Sequence, residues 1–162
     1  MLAIGIGTNI GNRKRNIEKA LELICLKIGK VTSVSSIYEA EPWGFKSNQW
    51  FYNAVCLVES TQSVYDIMIH LLFIEQSIGR IRKKTDGYKN RVIDLDILLL
   101  NDEIINTDTL KIPHPHIHER LFVLIPLQEL CPLWVHPILK KDVNQLLAEC
   151  HDTTLVKKLV NV

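Results

Sequence analysis

The chain carries almost no net charge: 19 Lys and Arg stand against 18 Asp and Glu, a formal +1. That balance excludes a general polyanion binder, so any positive site must be local. Apolar runs stay short of the ~18 residues a membrane-spanning helix needs, and the opening MLAIGIGTN has no basic segment. Both absences point to the cytosol, with neither a membrane nor a nucleic acid as partner. There is no G-x-x-x-x-G-K-[ST], which excludes a P-loop enzyme. Cysteine is scarce, with four residues and no C-x-x-C pair. Cys25, Cys56 and Cys150 have apolar neighbours, which predicts buried reduced thiols rather than a disulfide or a zinc site. No repeat, low-complexity tract or linker interrupts the 162 residues, so one domain over 1–162 is expected. Such a length buries about two thirds of its unfolded surface.

What is present has a clear order. Residues 2–8 read as a strand with Leu2, Ile4 and Ile6 on one face, while Ala3, Gly5 and Gly7 leave the other bare. Asn12 can cap a helix whose stripe is Ile17, Ala20, Leu21, Ile24 and Ile28. A second strand is expected at about 31–40, then a loop built on EPWGFKSNQ, then a third strand at 51–58. Ser63 and Asp66 resemble a capping box with Asp in place of Glu, opening a helix that ends near Gly79. A fourth strand covers RVIDLDILLL; short helices near 122–130 and 142–149 follow. The core order βαββαβ predicts an α+β fold, the ferredoxin-like sandwich, with an antiparallel sheet, two helices on one face and additional C-terminal helices. The other sheet face would be left to loops and to whatever binds there.

The fourth strand is unusual. With a period of two, Ile93, Leu95, Ile97 and Leu99 share one face, and Asp94 and Asp96 share the other. A solvent-facing strip that blocks edge pairing is one reading. Yet adjacent carboxylates on one face repel unless a cation sits between them. Placed about 7 Å apart, they suit Mg²⁺, which takes one or two carboxylates plus substrate phosphates. Just upstream, Arg80, Arg82, Lys83, Lys84, Lys89 and Arg91 stand against a single acid, Asp86. Arginine with Mg²⁺ is a common clamp for a transferring phosphoryl group, and Tyr88 offers a ring for a base. A solvated loop or a nucleic-acid contact would use the same basic residues, although the neighbouring acids oppose the latter.

Other signals are weaker. GIGTNIG begins like a dinucleotide fingerprint but has Ile10 at the third glycine, so Gly5 and Gly7 read as allowing close packing. His114, His116 and His118 alternate like metal ligands, but Pro113 and Pro115 oppose a regular strand; a loop that aims one histidine at a phosphate fits better. Trp43, Phe51 and Asn53 could form an aromatic slot with an amide handle for a flat heterocycle, or simply be core.

Six stretches, IGIGTNIGNR, VSSIYEAEPWG, FYNAV, IEQSIGRIR, NRVIDLDILL and IPHPHIHERLFVLIPL, stand in the order found in one family. Together they resemble the 6-hydroxymethyl-7,8-dihydropterin pyrophosphokinases of folate biosynthesis. The resemblance implies a cytoplasmic, monomeric, ferredoxin-like enzyme whose substrates are ATP and the pterin and whose product is AMP. It implies two Mg²⁺ ions on Asp94 and Asp96, with Arg80 and Arg91 as catalytic arginines. Glu75, Arg82, Ile97, His114 and Arg120 would serve ATP, Arg82 from a loop that closes over it, and the Tyr88 ring read above as a platform for a base would join them. Ala40, Pro42, Trp43, Phe51, Asn53 and Phe122 would hold the pterin between the two phenylalanine rings. The chain departs from familiar members at Tyr88-Lys89-Asn90, at Leu72, where a glutamine can occur, and at Phe51, where some have tyrosine. Non-catalytic ligand sensing and RNA binding are the rival readings of such a fold.

Overall fold

A computed structural model describes residues 1–81 and 89–160 of the chain. Strand β1 (Leu2–Thr8) leads into helix α1 (Arg13–Lys27), strands β2 (Lys30–Val34), β3 (Tyr38–Ala40) and β4 (Phe51–Glu59), helix α2 (Val64–Ile78) and strand β5 (Asp94–Leu100). A ribbon of β6 (Ile105–Asn106) and β7 (Lys111–Ile112), a 3₁₀ turn at Ile117–Glu119, helices α3 (Leu121–Leu130) and α4 (Val143–Ala148), and strand β8 (Val156–Lys158) complete the chain. The sheet runs β5-β1-β4-β3-β8, with β2 also on β4, and every pairing is antiparallel. This is the ferredoxin-like order, extended at one edge by β8. No described helix is long and apolar enough to cross a membrane.

Local chemistry sets the helix ends. The Asn12 side chain accepts the Arg15 N–H at 3.1 Å and so satisfies one donor that the first turn of α1 leaves open. Ser63 Oγ does the same for Asp66 at 3.2 Å and donates to the Asp66 carboxylate at 2.6 Å, so the box closes on the hydroxyl. At the other end of α2, Gly79 has φ +113°, which only glycine adopts without strain. Its N–H donates to the Gln76 carbonyl, and that of Arg80 to the Glu75 carbonyl, a Schellman turn that folds Arg80 back beneath the helix.

The core lies on both sides of the sheet. Leu2, Ile4, Ile6, Cys56, Val58, Leu95 and Ile97 pack under the α1 stripe and under Ile67, Leu71 and Ile74 of α2. On the opposite face Ala3, Val55, Leu57, Leu98 and Leu99 pack against α3 and α4. That face is therefore not left to loops alone: two short helices cover part of it.

Three expectations need correction. Leu99 does not share a face with Ile93, Leu95 and Ile97. Ala3 pairs with Leu99 but Ile4 pairs with Ile97, so Leu98 is an inserted bulge residue and alternation flips there. The second strand is broken at 35–37: the buried Ser35 accepts the Val55 N–H on its hydroxyl at 2.9 Å and turns the chain between β2 and β3. Cys25 is exposed and Cys131 and Cys150 are only half-buried; Cys56 alone meets the expectation, and all four thiols are free. The apolar side of α1 is the Ile24 side, and Cys25 points away from it.

Candidate active site

The site begins with two rows of side chains across three strands. Register places Gly7 between Asn53 and Asp94, and Gly5 between Val55 and Asp96. A methyl on Gly7 would meet Asn53 Oδ1 at 3.3 Å, and one on Gly5 would meet the Leu98 side chain at 3.3 Å. Both glycines line the floor of a trough, and the absent Cβ atoms make room for the Leu98 side chain over Gly5 and for the Asn53 amide over Gly7. Rising from that floor, one cavity is lined by Trp43, Phe51, Asn53, Asp94, Asp96 and Phe122, among others.

Electrostatics organise its charged end. Arg80 donates from Nη1 to Glu75 Oε1 and to Asp94 Oδ1, and Arg91 donates from Nη1 to Asp94 Oδ2. Glu75 belongs to the buried stripe of α2 and is 1% exposed. A carboxylate there needs partners; besides Arg80 it accepts the Leu95 N–H at 2.9 Å. Glu75 so fixes both Arg80 and the start of β5. Burial, then the neighbouring Asp94 charge, pushes the Asp96 carboxyl up to about 7, against the pull of Arg120. His114 goes the other way, to about 4, through burial and then the Arg120 charge, and is a neutral imidazole at pH 7.

A second cleft runs along the outer edge of β5. Leu71, Leu72, Asp96, Ile97, Lys111 and His114 are among its lining residues. The backbone of His114 reaches this edge, its N–H donating to the Leu98 carbonyl at 2.9 Å. His116 and His118 do not join it: both lie beside Glu119, His116 Nδ1 at 2.7 Å and His118 Nε2 at 3.7 Å. Among the described residues, no three His, Cys, Asp or Glu side chains gather to hold a metal.

Most of the expected residues come together. Phe51, Asn53, Trp43 and Phe122 share the ring-lined slot, and Arg120 lies 4.5 Å from the Trp43 ring centre and 5.7 Å from that of Phe122. Ala40 and Pro42 are not among the lining residues; their neighbours Glu41 and Phe45 are, with Phe45 edge-on to Phe51 at 6.2 Å. Arg82 and Tyr88 fall outside the described residues. One contributor was missed altogether. Asn9, buried within GIGTNIG, accepts the Arg91 N–H at 2.7 Å and donates to the Gln49 carbonyl and the Asn90 side chain. It ties the loops on either side of the site to β1, and its partners lie 40 and more residues away, where no local pattern could reveal them.

The family 7,8-dihydro-6-hydroxymethylpterin-pyrophosphokinase (HPPK) matches residues 3–132. A 2-amino-4-hydroxy-6-hydroxymethyldihydropteridine pyrophosphokinase of Porphyromonas gingivalis is 38% identical over 136 residues, 83% of this chain and 92% of that protein. The folic acid synthesis protein fol1 of Pneumocystis carinii is 41% identical over 83% of this chain, which spans only 18% of fol1. Among solved structures, the Plasmodium falciparum HPPK-DHPS wild type superposes with a TM-score of 0.73 at 16% identity, covering 91% of this chain and 44% of that one. The family match takes in both crossover helices, the aspartate strand and the helix that bears Phe122, and the chain belongs to the 7,8-dihydro-6-hydroxymethylpterin-pyrophosphokinase family.

Proposed function

We propose that this chain transfers a pyrophosphoryl group from ATP to the hydroxymethyl oxygen of 6-hydroxymethyl-7,8-dihydropterin, releasing AMP, in the cytoplasm and with two Mg²⁺ ions. The observation that carries the reading is that Asp96 lines both cavities, the ring-lined slot and the cleft along β5. A heterocycle in the slot and a nucleotide in the cleft would meet at the carboxylate pair.

The donor set fits the metal. Two hard oxygen side chains face one cavity, and a cation would offset both the burial of the Asp96 charge and its repulsion by Asp94. Asp94 and Asp96 would hold Mg²⁺, which would offset their mutual repulsion and supply Lewis acidity to the reacting oxygens.

The remaining work belongs to the chain. Asn53 Nδ2 is buried with no partner among the described residues, and so offers a donor to an acceptor on the pterin edge. Phe51 and Phe122 supply flat apolar surfaces, and the loop after Ala40 adds Glu41 and Trp43 to the wall of the slot. On the nucleotide side Ile97 and His114 line the β5 cleft and receive ATP together with Arg82 and Tyr88, Arg120 works from the ring-lined slot beside Trp43 and Phe122, and Glu75 acts by orienting Arg80. Arg80 and Arg91 are paired with the two oxygens of Asp94, and both guanidinium groups, released once that carboxylate holds a cation, would turn toward charge on the transferred group. The hydroxymethyl oxygen attacks the β-phosphorus in line, the bond from that phosphorus to the oxygen of the α-phosphate breaks, and AMP leaves.

The test is direct. Protein, ATP, Mg²⁺ and the dihydropterin should yield AMP in step with pterin diphosphate, and chelation of Mg²⁺ should stop the reaction. ADP as the product would make it an ordinary kinase, and no nucleotide turnover at all would favour a binding module.

A further inference from the structure

The end of the chain lies outside the family match, which stops at residue 132, yet it touches both walls of the slot. Helix α3 starts at Leu121 with Arg120 in the capping position, gives itself no side-chain cap, and has no acidic residue in its first turn. The cap comes from elsewhere. Asp152 Oδ2 accepts the Leu121 N–H at 2.9 Å and the Thr154 hydroxyl at 3.0 Å, while Oδ1 accepts the Thr154 N–H at 2.9 Å. A carboxylate there satisfies an open donor and faces the positive end of the helix dipole.

Three residues on, the same segment grips the opposite wall. The Leu155 N–H donates to Glu41 Oε2 at 2.9 Å, and its carbonyl accepts the Glu41 N–H at 3.1 Å. Val156 then pairs with Ala40 as β8 joins the sheet. Glu41 opens the loop that carries Trp43 and Phe45, whereas Leu121 opens the helix that carries Phe122. These walls are remote in sequence, and a span of three residues can bridge at most about 10 Å.

On this geometry, and resting on the pterin reading of the slot, we propose that Asp152 is a positioning residue. With Leu155 it makes residues 152–155 a strap that fixes the spacing between the Phe122 wall and the Trp43 loop before substrate arrives. A slot held at its bound width spares the pterin the ordering of two walls, so the strap acts on pterin affinity and leaves the β5 cleft untouched.

The experiment compares the full-length protein with Asp152→Ala and Asp152→Asn. Each is titrated separately with 6-hydroxymethyl-7,8-dihydropterin and with a nonhydrolysable ATP analogue plus Mg²⁺, and KM and kcat are measured. Asp152→Ala should weaken pterin binding about tenfold and raise its KM with little change in kcat. ATP-analogue affinity should stay within about twofold. Asp152→Asn keeps an acceptor for the Leu121 N–H but loses the charge, and should cost about threefold in pterin affinity; it carries the test alone should the alanine variant not fold. Unchanged pterin affinity, or equal losses for both ligands, overturns the strap. Wild-type protein that binds the ATP analogue but no pterin overturns instead the slot reading beneath it.

Discussion

On one side of the sheet Leu2, Ile4 and Ile6 of β1 are buried under α1 and α2; on the other, the same strand presents Ala3, Gly5 and Gly7, and the last two floor an open trough. Alternation lets seven consecutive residues serve two purposes. The helix-covered face is stabilised by removing apolar surface from water. Its counterpart gathers what folding alone would disfavour: two adjacent carboxylates, a buried amide with an open donor, and bare backbone. A region that opposes folding is tolerated where a ligand completes it, because the core under α1 and α2 and the smaller core under α3 and α4 supply the stability.

That contrast can be broken by exchanging effects between the faces. The largest expected effect is on the trough side. Asp96→Ala should lower turnover at least about a thousandfold, while the unfolding midpoint stays level or rises, because a repelling buried charge has gone. Substantial activity at ordinary Mg²⁺ would rule out the metal role. The mirror experiment is Ile4→Ala on the helix face, where Ile4 is 0% exposed. It should lose about 2–5 kcal/mol in denaturant unfolding, with pterin and ATP affinities per folded molecule unchanged. Loss of affinity there would mean that the two faces are not separable.

A smaller effect concerns pH. The Asp96 carboxyl sits near 7 in the fold, through burial and then the Asp94 charge, and near 4 in the unfolded chain. Below about pH 4 both states hold the proton and the contribution to stability is fully present. As pH rises toward 7 the unfolded chain has already released the proton, so this contribution is lost through the folded value. Without Mg²⁺, wild-type protein should therefore lose stability between pH 5 and 8 relative to Asp96→Asn, by about 1–3 kcal/mol. Parallel pH profiles for the two proteins would show that Asp96 is compensated within the fold.

The order of elements, the caps at Asn12 and Ser63, the end of α2 at Gly79 and the paired aspartates could all be read along the chain. Each depends on contacts within about one helical turn or on a strict period, and the six family stretches extended that reading to the residues of the ring-lined slot. Glu75 was legible as a site residue only through the resemblance, since a lone acid in an apolar helix stripe does not reveal that it holds Arg80 and the Leu95 N–H.

The sequence by itself determined which residues alternate, which helices start and stop, and that two like charges had to share one strand face. Tertiary structure alone decided that the bulge at Leu98 sends Leu99 to the far side of the sheet, that Ser35 breaks a strand, that Asn9 clamps two loops and that Asp152 caps a helix 31 residues away. The physical reason is reach. Periodicity and capping act between near neighbours, whereas a bulge, a clamp or a borrowed cap exists only once packing has brought distant backbone donors and acceptors to within 3 Å or so of each other.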